Sequence, residues 1–90
     1  MDQEFVVGDV VVSTSGHDKT RPFIVVSIDK NGYPVIIDGR YRIRSKPKCK
    51  NPKHLQKLAH DEDILKKVNS PIATDAEIYK MIKAYIQVKE

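Results

Sequence analysis

The chain has little of what several large functional classes require. Cys49 is the one cysteine among 90 residues, so no internal disulfide can form and a disulfide-stapled secreted scaffold is excluded. Cys49, His54 and His60, with four and five residues between them, are the nearest thing to a ligand set. A structural zinc takes four ligands, typically with close Cys-x-x-Cys pairs, so neither a metal nor any other cofactor is expected. No apolar run approaches the roughly 20 residues that a membrane helix needs. Phosphate loop, nucleophile elbow and paired-carboxylate motif are all missing, so catalysis is not expected. Met1-Asp2-Gln3-Glu4 has neither the basic start nor the apolar core of a secretory leader, and with the lone cysteine it points to the cytoplasm.

The most informative absence is local. From Arg40 to Lys57 there is no Asp or Glu, while Arg40, Arg42, Arg44, Lys46, Lys48, Lys50, Lys53 and Lys57 put +8 into one window. The whole chain carries +4, so the residues outside that window sum to −4. Mild overall charge with the cations gathered in one place describes a surface that faces a polyanion. A solvated edge strand also carries lysines, which block edge-to-edge pairing. Eight cations without one acid exceed that need, because their mutual repulsion costs stability.

What is present reads as short strands followed by helices. Val10-Val11-Val12 after Gly8-Asp9, and Phe23-Ile24-Val25-Val26 after Arg21-Pro22, are β-branched or aromatic runs bounded by turn formers. They predict strands over Asp9–Ser13 and Phe23–Ile28, joined by a polar loop from Ser15 to Arg21 with Gly16 at its base. Phe5 and Val6 are expected to pack beneath them. Asn31-Gly32 is a hairpin signal, with Tyr33 to Ile37 as the third strand and Pro34 at a start or edge position. Asp38-Gly39 reads as a second such turn, leading into a fourth strand from Arg40 to Lys46. His54 to Leu58 returns as a short fifth strand or a helical turn. Four or five short strands with tight turns fit a small SH3-like barrel over residues 1–58.

Residues 59–90 change to helical character. Asp61 to Val68 has acids in its first turn and lysines in its last, the order that the helix dipole favours, and Asn69-Ser70-Pro71 stops it. Thr74-Asp75-Ala76-Glu77 has capping-box spacing and predicts a helix from Asp75 to Gln87. Its stripe Ile78, Met81, Ile82 and Tyr85 should pack on the barrel or the preceding helix, or else receive a partner protein.

The stretch Val7–Val26 resembles the KOW motif of ribosomal proteins and transcription elongation factors. The resemblance rests on Gly8-Asp9 with the following valines, Gly16, Asp18-Lys19 and Phe23 to Val26. It continues through Asp38-Gly39 and Pro47 to Leu55, as in short bacterial KOW-domain RNA-binding proteins. Thr20 and Pro22 stand where that motif tends to have Gly, so the loop is expected to present its basic residues at another angle. The resemblance implies a small SH3-like barrel, RNA as the polyanion and a ribosomal-protein-like role in translation, with ribosomal RNA or the ribosome as partner.

On a regular strand Arg40, Arg42 and Arg44 would project from one face about 6–7 Å apart, comparable to the spacing of phosphates. Lys46, Lys48 and Lys50 would form a basic flank beyond it. Lys19 and Arg21 in the loop, together with Lys53 and His54, complete the expected nucleic-acid surface, on which Tyr33 and Tyr41 could stack an exposed base. DNA binding, or docking of a protein through the barrel or the last helix, are the rival readings.

Overall fold

A computed structural model describes residues 4–16 and 21–85. The chain order is β1 (Asp9–Ser13), β2 (Pro22–Ile28), β3 (Pro34–Ile37), β4 (Lys48–Cys49), a 3-10 turn at Pro52–His54, β5 (Leu55–His60), α1 (Glu62–Val68) and α2 (Asp75–Lys83). The strands form one antiparallel five-stranded sheet in the order β4-β3-β2-β1-β5. This is the small, mainly β architecture with C-terminal helices that was expected. The sheet is not closed, however, and β4 and β5 are its edges.

The apolar runs are continuous because both faces of the sheet are buried. Val10, Ile24 and Ile37 face Ile64 of α1 and Ile78 and Ile82 of α2. Their sequence neighbours Val11, Phe23, Val25 and Ile36 point the other way and close over Leu55 and Phe5. Side chains alternate along a strand, so covering both sides requires an unbroken apolar sequence. Phe5 packs as expected, whereas Val6 is exposed.

Both helices start where the sequence places them. The Asp61 side chain accepts from the N–H groups of Asp63 and Ile64, and Thr74 accepts from that of Glu77. The α2 stripe packs in cis on the sheet and on α1 at once, through Ile78, Ile82 and Met81. Tyr85 departs from it: 40% exposed, it donates its hydroxyl to Asp61 Oδ2. The helix was expected to reach Gln87, but α2 ends at Lys83 and Ala84 and Tyr85 form a turn; Ile86 and Gln87 lie outside the described residues.

The fourth strand from Arg40 to Lys46 does not form. That segment is a loop, and β4 begins only at Lys48. Three contacts account for the change. Asp38 Oδ1 accepts the N–H groups of Arg40, Tyr41 and Arg42, each at 2.8 Å, so these donors are taken from any ladder. Gly39, at φ +85°, lies directly against the first turn of α2; a Cβ there would stand 2.4 Å from the Asp75 carbonyl oxygen and 2.7 Å from the Tyr79 nitrogen. Arg44 turns away from the sheet and ties the loop to the helices.

The Arg44 guanidinium is a clamp on three elements. Its Nη1 donates to the carbonyls of Ser70 (2.9 Å), Val68 (3.3 Å) and Lys67 (3.5 Å), and its Nη2 to that of Ala73 (2.6 Å). Its Nε and its backbone N–H both reach Asp75 Oδ1 at 3.2 Å. The Val68 carbonyl is among those that the end of α1 leaves without a helical donor, and a five-donor fork reaches it while adding to the backbone donor on Lys67 and pairing with the first turn of α2.

Candidate nucleic-acid interface

The strand registers decide which basic residues meet. Val12 opposes Pro22, Ser13 opposes Leu55, Ile24 opposes Ile37 and Ile36 opposes Lys48. The end of β1, the start of β2, the end of β3 and the starts of β4 and β5 therefore lie at one end of the sheet. Arg21, the Asp38–Arg42 loop, Lys46 and the Lys53–His54 turn all emerge there. The Thr14 N–H donates to the His54 carbonyl at 2.8 Å, which fixes the 3-10 turn beside the base of the β1–β2 loop. His54 is exposed there. Lys19 lies outside the described residues.

Not every expected residue joins this end. Lys50 donates its N–H to the Pro34 carbonyl at the opposite, hairpin end, with Lys48 between the two. Lys57 pairs with the buried Asp9 at 3.4 Å. Arg44 is engaged in the clamp and is 28% exposed, so the row Arg40–Arg42–Arg44 on one strand face does not exist. Among the described residues, the acids nearest the basic end are occupied internally, Asp38 with its own loop backbone and Asp75 with Arg44.

The loop tip instead carries a ladder of alternating cations and rings. The Arg21 guanidinium lies 4.2 Å from the centre of the Tyr41 ring and that of Arg40 lies 5.1 Å from it. Arg40 is also 5.6 Å from the Tyr79 ring, which Lys83 approaches at 5.5 Å. Arg40 Nη1 donates to the Tyr79 hydroxyl at 3.5 Å. That contact, with the neighbouring Tyr41 and Tyr79, raises the Arg40 pKa. Tyr41 is 56% exposed despite these neighbours. Sequence reading marked Tyr41 but missed Tyr79, which stands beside the α2 stripe and carried no signal linking it to the loop. It also missed the anchor, although an aspartate followed by glycine and three N–H groups in need of an acceptor is a recognisable turn-nucleating pattern.

The other end of the sheet holds the acids. Asp29 sits at the β2–β3 hairpin, and Asp61, Glu62 and Asp63 follow β5. His60 bridges three elements here: its Nδ1 is 2.8 Å from Asp9 Oδ1 on β1, its Nε2 is 2.6 Å from Glu62 Oε2 on α1, and Lys57 of β5 shares the Asp9 oxygen. Glu62 and then Asp9, through these hydrogen bonds, raise the His60 pKa above its ordinary 6.5. Burial pushes Asp9 up, but the Val6 N–H, His60 and Lys57 outweigh it and hold the carboxyl below its ordinary range.

A raised histidine contributes stability that is complete below the unfolded value and is lost as pH rises through the folded one. Urea unfolding midpoints should therefore fall as pH rises above the ordinary histidine value of about 6.5, and His60→Gln should remove that dependence. A wild-type midpoint unchanged over that rise would show that the histidine bridge does not contribute.

Cys49, His54 and His60 are not brought together. His54 and His60 sit at opposite ends of β5, and Cys49 bonds to Asp29 at 3.0 Å. That carboxylate pushes the exposed thiol up, so it keeps its proton at neutral pH. Among the described residues no group of three potential ligands could hold a metal ion. Among them, too, no helix is long and apolar enough to cross a membrane.

Comparison with known proteins adds no relative: no protein-family model matches the chain, and no curated protein matches it.

Proposed function

We propose that the chain is an RNA-binding module whose contact surface is the basic end of the sheet. The observation that carries this reading is the convergence of Arg21, Arg40, Arg42, Lys46 and Lys53 at the end that also bears the exposed Tyr41, where the nearest acids among the described residues are already engaged. Phosphate neutralisation supplies affinity for any nucleic acid, and an exposed ring among arginines adds a surface for bases. The KOW-like stretch from Val7 to Val26 favours RNA over DNA, structured or ribosomal RNA within that class, and a cytoplasmic role in translation.

Docking of a protein through the α2 stripe loses its surface, since Ile78 and Ile82 are spent in the core. Arg42 and Lys46 are exposed and lie outside the clamp, so charge reversal there leaves the fold intact. The double variant Arg42→Glu, Lys46→Glu should bind structured RNA at least about tenfold more weakly, with the salt slope reduced by about two. Unchanged affinity in the folded variant would place the surface elsewhere. Competition with matched duplex DNA should be weaker than with RNA.

A further inference from the structure

Resting on the RNA reading, we infer that the Arg21–Tyr41–Arg40–Tyr79–Lys83 ladder takes an unpaired nucleotide, so that the preferred partner is RNA with single-stranded or bulged positions. A surface that only neutralised phosphate would be served by dispersed lysines. This one holds guanidinium groups against rings, at 4.2 and 5.1 Å from Tyr41 and 5.6 Å from Tyr79. Both kinds of flat group stack on a nucleobase. Tyr41 is 56% exposed although two guanidinium groups lie against it, so much of its ring is accessible to a base.

Rigidity makes the arrangement suited to binding. The three N–H groups held by Asp38 fix the tip, and Gly39 seats it against α2, so Tyr41 and Arg40 are ordered before any ligand arrives. A bound base then costs less ordering than one captured by a loose loop. Bases inside a regular duplex are already stacked and offer the ladder no free face, whereas a splayed base does. Arg42 on the same tip and Lys83 at the far end of the ladder are placed to meet the flanking phosphates.

The test compares two RNA probes of equal length at one salt concentration: a hairpin with a single-stranded 3′ extension, and a fully paired duplex. Tyr41→Ala should weaken binding of the extended hairpin by about tenfold, the scale of one base–aromatic stack. It should change duplex binding by less than about twofold, because phosphate contacts are untouched. Tyr41→Phe, which keeps the ring, should bind both probes like the wild type. Equal losses on the two probes, or no loss on the extended one while binding stays salt-dependent, would overturn the unpaired-nucleotide inference and leave phosphate-driven RNA binding standing. Failure of the wild type to bind either probe would overturn both.

Discussion

Replacing Arg44 with alanine should lower the unfolding free energy by on the order of 3 kcal/mol, the scale of losing several charge-assisted hydrogen bonds at a partly exposed site. For a domain of this length that corresponds to a melting point lower by on the order of 15 °C. The loss is large because one side chain serves the carbonyls of Lys67, Val68, Ser70 and Ala73 together with Asp75. Truncation leaves those acceptors to water at the junction of both helices. Arg44→Lys should recover only a minor part, since an ammonium group cannot reach along that fork. Arg44→Glu should be worse than alanine, placing a carboxylate among carbonyls beside Asp75. Thermal and urea unfolding check this; a loss for the alanine variant below about 1 kcal/mol, the value of one ordinary hydrogen bond, would contradict the clamp.

Gly39→Ala should be nearly as damaging, for a different reason. Positive φ alone costs an alanine about 1–2 kcal/mol. The new Cβ would also meet backbone atoms of α2 at 2.4 and 2.7 Å, and backbone cannot rotate aside. Overpacking of this kind adds about 1–3 kcal/mol. Gly32 supplies an internal control: it has the same φ of +85°, but a methyl group there would meet nothing within 4 Å. Gly32→Ala should therefore show the strain without the clash, and the difference between the two midpoints measures how tightly the loop is seated on α2. Equal losses would mean that the seating contributes nothing. At temperatures where Gly39→Ala remains folded, its RNA affinity should also fall, because Arg40 and Tyr41 are displaced from Tyr79.

These two positions mark where sequence reading reached its limit. Strands β1, β2 and β3 were legible because short β-branched runs stand between glycines and prolines. Thr74 was legible as a cap because a cap is decided within three or four residues, whereas Asp61 was legible only as the acidic start of the helix it caps. The Arg40–Lys46 segment misled for the opposite reason. Its alternation of Arg with Tyr and Ile is good strand patterning. Its fate, however, is decided by Asp38 holding three amides and by Arg44 finding acceptors some 23 to 31 positions further along. No local signal carries such a tertiary choice. The continuous apolar runs likewise announced strands without revealing that the helices cover one face and Leu55 and Phe5 pack on the other.

The candidate surface was legible as charge and not as geometry. A +8 window with no acid identified the kind of partner. The fold then divided that window: Arg44 became a brace, Lys57 a partner of Asp9, Lys50 moved to the hairpin end, and Arg21 arrived from the first loop to meet Tyr41. Tyr79 joined from the last helix, where its neighbours gave only a core stripe. The surface proposed for RNA is therefore smaller than the sequence suggested, but it contains stacked arginines and rings that a strand row would have lacked.

The most direct measurement is the affinity of the whole chain for a structured RNA across a salt series. Log affinity should fall steeply and linearly with log salt, with a slope corresponding to about four or more neutralised phosphates. Weak binding with little salt dependence would contradict RNA recognition through this surface and leave the basic end of the sheet merely solvated.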